Sequence, residues 1–316
     1  MRLFGLVVLI AALSAASAPG DDPIVYSLVP VSPLYALKKD DKVRVVVAEK
    51  TTTKLTVTKD KDAVTSETET EAQYDFTDTI KEATGNKATK LDRHYTKALI
   101  GTKDADGKVT KDTALEGKTL AVQKKGNQYE FNFTGSDFGK PEGAAKEALE
   151  AEFNKPDKDL RFALFPKVPV KTGDTWTINR GEWAQTHLAG PEVVVEWQAV
   201  KGQGKVGKAE NRAKKDKDKK VYVEPDKYYG EIVADFEVPI LRVHLGEKPD
   251  PATALKADKG SKVTGKIESK GMADGTLPQN TTVTLTFDVS GKMDGCDVKL
   301  VVTSTEKRTM ELLPKK

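Results

Sequence analysis

The chain has 316 residues, 31% of them charged, and 51 Lys and Arg against 48 Asp and Glu leave a net charge of +3. So near a balance does not point to nucleic acid or another strongly charged polymer as a partner of the whole molecule. A lone cysteine, Cys296, excludes an intramolecular disulfide, so an exported chain of this kind must rely on its core.

Residues 1–18 read as a secretory signal peptide. Arg2 supplies the positive start, Leu3 to Leu13 a short apolar core, and Ala16-Ser17-Ala18 the small residues of a cleavage site, with Pro19 beyond the cut. The apolar run is too short to cross a bilayer about 30 Å thick, and no later stretch is apolar enough to do so as a helix. The expectation is export to the periplasm or beyond, with cleavage after Ala18.

A proline-bearing leader, 19–33, precedes a first β-rich half, 34–154. Val43, Val45 and Val47 alternate with Arg44, Val46 and Ala48, and Leu55 and Val57 continue the pattern. From Thr65 to Ile80, Glu67, Glu69 and Glu71 share one strand face, while Thr68, Thr70, Ala72, Tyr74 and Phe76 share the other. Leu91, Tyr95 and Leu99 mark a further strand, interrupted on its apolar side by Arg93 and Lys97. Leu120 and Val122 pair with Tyr129, Phe131 and Phe133 across a hairpin turn at Lys125-Gly126-Asn127. One helix is expected at about 141–153, opened by Pro141 and Glu142 and striped by Ala145, Leu149 and Phe153. Asn154-Lys155-Pro156 ends it.

A Pro-rich crossover, 155–170, joins this half to a second, 171–316. Pro166 and Pro169 keep it extended, Gly173 and Asp174 turn it, and Trp176 and Ile178 start a strand. Trp176 and Trp197 are expected as buried anchors, and Trp183 in a short helical turn between Gly181 and Leu188. Val193, Val195, Trp197 and Ala199 read as a strand; Gly202 to Lys220 is polar and Lys-rich, and its tract Lys205 to Lys220 reads as a solvated loop between strands. Tyr228, Ile232, Ala234, Phe236 and Val238 share a strand face, Val263, Gly265 and Ile267 open another, and Val283, Leu285, Phe287 and Val289 form the most regular strand. It turns through Gly291 to Gly295 into a strand carrying Cys296, Val298, Leu300 and Val302 on one face, which predicts a buried, inert thiol. Leu37 to Val45 resembles Val170 to Ile178; duplication and chance both account for it.

The succession Leu115-Glu116-Gly117-Lys118-Thr119-Leu120, Lys125-Gly126, the helix, and Phe165-Pro166-Lys167-Val168-Pro169-Val170-Lys171-Thr172-Gly173-Asp174-Thr175-Trp176 resembles a family of uncharacterised exported bacterial proteins commonly met in planctomycetes. Pro-Val-Lys-x-Gly-Asp-x-Trp is the most specific part, and the likeness covers most of the chain after the leader. It implies an exported bacterial protein and supplies no site residues. The Lys-rich tract at 205–220 departs from it.

Residue types that carry catalysis do not gather into a known pattern. His94, His187 and His244 lie on separate segments without metal-ligand spacing, so no metal and no cofactor are expected. Asp104-Ala105-Asp106-Gly107 opens like a calcium loop, but Lys108 and Leu115 stand where acidic ligands are needed, which leaves a turn. Gly135-Ser136-Asp137-Phe138-Gly139 is not a nucleophile elbow. Glu67, Glu69 and Glu71 could seat a glycosidase pair but read more simply as a wet strand face. Lys205 to Lys220 permits weak, salt-screened contact with acidic polymers, without an aromatic for base stacking.

The chain is expected to be a mainly β (α+β) protein: antiparallel curved sheets or an open barrel with one covering helix. Its role is read as non-catalytic, structural or binding, at the cell envelope. Two alternatives stand beside it. One is a half-barrel carrier of an apolar, lipid-like ligand, whose cavity Tyr74, Phe76, Tyr129, Phe131 and Phe133 would line. The other is a hydrolase of unrecognised type.

Overall fold

The computed structural model of the protein describes residues 25–26, 38–84, 87–135, 139–154, 164, 170–178, 181, 183–184, 188, 193–211, 228–244, 254–272 and 279–314. Residues 1–18, most of the segments 19–33 and 155–170 with Pro166 and Pro169, His187, and the tract beyond Asn211 lie outside the described residues.

Among the described residues the chain is mainly β, with a single α-helix of several turns. β1 (Val25–Tyr26) and β8 (Val170–Lys171) form a small antiparallel pair of their own. All other described strands belong to one antiparallel sheet of 14 strands. β2 (Lys42–Lys59), β3 (Asp62–Thr84) and β4 (Lys87–Lys103) make a long meander. β5 (Val109–Asp112) and β6 (Thr119–Lys125) pair with different stretches of β4, and β7 (Gln128–Phe133) lies outermost on that side. The β6–β7 hairpin turns at Gly126, whose φ of 60° is the left-handed conformation that glycine adopts without strain.

The other side of the sheet comes from β9 (Thr175–Thr177), β10 (Val193–Val195), β11 (Lys201–Asn211), β12 (Tyr228–His244), β13 (Ala254–Ala257), β14 (Lys262–Met272), β15 (Gln279–Met293) and β16 (Cys296–Leu312). β13 and β14 occupy one lane between β12 and β15, interrupted where Ser261 N–H bonds back to the Asp258 carbonyl at 3.1 Å. β16 pairs with β2 from Asp297↔Thr58 to Leu312↔Val43. That ladder makes the two halves of the chain one sheet.

Both core clusters lie on one face, here the inner face. The first joins Val43, Val45, Val47, Phe76, Ile80, Leu91, Tyr95, Leu120, Val122 and Phe131, and the helix α1 (Gly143–Phe153) lays Ala145 and Leu149 on it. The second surrounds Phe236, Val238, Val263, Ile267 and Val289, covered by Leu164, Trp183, Ala184 and Leu188. The outer face carries charges and threonines, with Lys50–Glu69, Lys262–Glu237 and Lys270–Glu231 ion pairs at 2.7, 2.7 and 3.0 Å. Such exposed pairs contribute little stability and mainly keep the face wet.

Several expectations change in the structure. Val193–Val195 is a strand, but Trp197–Ala199 is a 3₁₀ turn, so the alternation ends one residue after Val195. Lys205 to Asn211, the start of the tract read as a loop, belongs to the strand Lys201–Asn211, with Val206 buried; Gly202 and Gly204 sit where the Phe236 and Trp176 side chains come against the backbone. The β3–β4 register shifts between Asp75 and Phe76 of β3, so one residue of β4, Thr96, goes unopposed and parity flips. Tyr95 and Ala98 are therefore buried, Leu99 is not, and Lys97 is exposed. Cys296 is only partly covered, at the tight turn Asp294-Gly295, and its thiol lies 3.9 Å from the Asp294 carbonyl. Trp176 and Trp197 are partly buried; Trp183 is the buried indole, 9% exposed, edge-on to Phe236 at 4.9 Å.

Candidate binding face

Two charged groups interrupt the inner face. The first lies within the α1 cluster. Val43, Asp78, Arg93 and Leu120 sit opposite one another on β2, β3, β4 and β6, so strand parity alone turns Asp78 and Arg93 inward. Arg93 donates Nε to Asp78 Oδ1 at 2.7 Å and Nη2 to Oδ2 at 2.8 Å, and Nη1 to Glu152 Oε2 of α1 at 2.6 Å. Its guanidinium lies 3.7 Å from the Phe76 ring centroid and 4.8 Å from that of Phe153. Burial pulls Arg93 down, but Asp78 and Glu152 outweigh it and hold the group charged. Burial pushes the Asp78 carboxyl up against the pull of Arg93. This triad ties the helix to the sheet.

The second group lies between the two core clusters. Glu49 of β2 sits opposite Glu306 of β16, which sits opposite Val283 of β15. One pair further along, Val47, Arg308 and Thr281 share a row, and on the other side Thr51, Ser304 and Leu285 do. Two carboxylates opposed on one face destabilise a sheet. Arg308 offsets this in part, donating Nε to Glu306 Oε1 at 2.9 Å. Desolvation over the sheet and the Glu306 charge push Glu49 above the usual carboxylate range. Desolvation pulls Arg308 down, and Glu306 and Glu152 more than restore it. Thr51 Oγ1 donates to Ser304 Oγ at 3.0 Å. Beside these groups, Leu55, Val57, Val283, Leu285, Phe287 and Leu300 are only partly buried along the rim of the second cluster. The face thus sets an apolar strip against a polar group of two carboxylates and one guanidinium.

The aromatics expected to line a cavity come together here as core. Phe76 and Phe131 are buried and Tyr74, Tyr129 and Phe133 pack against them. Tyr129 and Phe131 meet Phe153 at 5.2 and 5.6 Å, and Tyr74 and Phe76 meet Tyr95 at 6.1 and 5.4 Å. Burial pushes the Tyr74 hydroxyl up to about 12. Glu67, Glu69 and Glu71 point to the outer face, where Glu69 pairs with Lys50. Asp104 closes a turn, accepting N–H bonds from Asp106 and Lys108 at 3.1 and 2.8 Å. His94 bonds Thr119 on the surface at 3.0 Å, and His244 ends β12. Of the Lys205–Lys220 tract, residues 205–211 belong to β11 and the rest lies outside the described residues.

Sequence reading missed Glu49, Glu306 and Arg308 because nothing local joins β2 to β16. The available signal was a break in parity: Glu306 and Arg308 continue the face of Leu300 and Val302, where apolar residues would be expected. Among the described residues, no group of three or more His, Cys, Asp or Glu side chains has metal-binding spacing, and no helix is long and apolar enough to cross a membrane.

No family model and no curated protein matches the chain. Among solved structures, lipovitellin, described for its lipid–protein interactions, resembles 87% of this chain at 9% identity and a TM-score of 0.34; the chain spans 26% of that protein's length. Ail, the attachment invasion locus protein of Yersinia pestis, resembles 85% of this chain over 99% of its own, at 7% identity and a TM-score of 0.12. Neither similarity is high enough to carry a functional assignment.

Proposed function

We propose that this is an exported, non-enzymatic binding protein of a bacterial cell envelope, and that the inner face between its two core clusters binds a lipid-like amphiphile with an amine-bearing head. The observation that carries the reading is the placing of Glu49, Glu306 and Arg308 directly against a strip of partly covered apolar side chains. A sheet built for stability alone would not oppose Glu49 to Glu306. A ligand ammonium would neutralise that pair, an anionic group on the same head would meet Arg308, and an acyl chain would cover Val283, Leu285, Phe287 and Leu300. Export rests on the signal-peptide pattern of residues 1–18, and the likeness to exported planctomycete proteins agrees with it.

Native mass spectrometry of the protein purified from its own envelope tests this. The expected result is a co-purifying amphiphile that is lost when Glu49 and Glu306 are both replaced by Gln. Protein that carries no lipid from its envelope, and takes none from vesicles containing phosphatidylethanolamine, would overturn the reading.

A further inference from the structure

An open sheet has edges, and unpaired backbone groups along an edge are templates for another strand. This protein blunts two of them. At β7, the Tyr129 N–H donates to Asn154 Oδ1 at 2.6 Å, Asn154 Nδ2 reaches the Tyr129 carbonyl at 3.5 Å, and the Phe133 N–H donates to the Gly139 carbonyl at 2.9 Å. On the far side, β9 is only three residues long.

The start of β3 is different. A two-residue turn, Asp60-Lys61, joins β2 to β3, and the ladder begins at Lys59↔Asp62. The pair flanking such a turn exchanges hydrogen bonds, so Asp62, Val64, Ser66 and Thr68 bond β2, while Ala63, Thr65 and Glu67 direct N–H and C=O to the opposite side. β4 covers that side only from Glu69, which pairs with Lys103. Among the described residues no strand pairs there with Asp62–Thr68. Asp62 to Thr65 and Glu67 are exposed, and Val64 at 72% is the most exposed of the described large apolar residues.

We propose that this edge pairs antiparallel with the same edge of a second copy of the chain, about a twofold axis at Thr65. In that register Thr65 meets Thr65, and Ala63 meets Glu67 of the second copy in both directions. Every edge-facing N–H and C=O of the three residues is then used. No like charges oppose: Glu67 faces Ala63 and Asp62 faces Thr68, and the new ladder stops short of Glu69, where β4 begins at Lys103. The exposed Val64 side chains come together diagonally across the new ladder.

Sedimentation velocity on the full chain, over a wide concentration range, reads the result. The parent chain is expected to dimerise. Ala63→Glu, which sets two Glu–Glu pairs across the axis, should raise the dissociation constant by about tenfold or more. Adding Glu67→Lys turns both pairs attractive and should restore dimerisation, which a merely misfolded variant would not do. Thr65→Pro removes an N–H that no described strand of its own sheet uses, and should leave a folded monomer by circular dichroism. A parent chain that stays monomeric at every concentration, or an Ala63→Glu dimer of unchanged affinity, would overturn the proposal.

Discussion

Arg93 grips Asp78 at two points, 2.7 and 2.8 Å, inside the cluster that α1 covers. The Arg93 side chain is 3% exposed and that of Asp78 12%. Removing one member of such a buried pair strands the other charge, so Arg93→Met is expected to cost about 3–5 kcal/mol in urea unfolding. Replacing Asp78 by Leu as well should recover most of that loss. Equal losses for the single and double variants would show that the pairing does not set the cost.

The acid side of the stability profile separates two glutamates. Burial pushes Glu152 up, but the Arg93 charge and hydrogen bond win and hold it below its ordinary 4.5. The unfolded chain then binds the extra proton, so this contribution is present above pH 4.5 and is lost as pH falls through the lowered value. Glu49 runs the other way: desolvation and Glu306 raise it, the folded state holds the proton, and stability falls as pH rises from 4.5 through the raised value. Glu152→Gln should therefore weaken the protein near pH 7, with the loss shrinking at about pH 3, while Glu49→Gln should strengthen it near pH 7 and not at about pH 4. Thermal melts across pH read both signs.

Gly265 lies under the Phe236 ring, and a Cβ built there would stand 2.1 Å from ring atom Cζ. Gly265→Ala is expected to cost about 1–3 kcal/mol in denaturant melts. Pairing it with Phe236→Leu should relieve the clash and leave only the smaller loss of the ring.

Asn154 closes the β7 edge by standing in for a strand backbone at Tyr129. Asn154→Ala should cost about 1–2 kcal/mol and speed amide exchange at Tyr129. Unchanged exchange there would show that other groups protect the edge.

Trp183 and Trp176 should differ on truncation. Trp183 is buried against Phe236, so Trp183→Ala should cost about 3–5 kcal/mol. Trp176 is partly buried, with Nε1 donating to the Leu164 carbonyl at 2.8 Å, and Trp176→Ala should cost less. Denaturant melts of the two variants check the order.

Much of the architecture was legible residue by residue. Val43, Val45 and Val47 declared an inner face, Lys125-Gly126-Asn127 a hairpin, and Ala145, Leu149 and Phe153 a covering helix, and each occurs. The failures have local causes. Thr96 is an ordinary residue that happens to go unopposed, so the flip from Tyr95 to Ala98 leaves no trace in composition. Lys205 to Asn211 looks like a solvated loop because the glycines of its strand leave room for aromatic side chains from other segments.

What the residues alone determined was periodicity: the pleat sends successive side chains to opposite faces, so alternation is written along the chain and needs no partner to be read. Only tertiary structure decided which strands became neighbours, and hence that Glu49 meets Glu306, that Arg93 finds both Asp78 and Glu152, and that Ala63 to Glu67 meets no described strand of its own sheet on one side. Those pairings join residues from 15 to more than 250 positions apart, as with Thr51 and Ser304 at 253, and no local preference encodes a meeting at that distance.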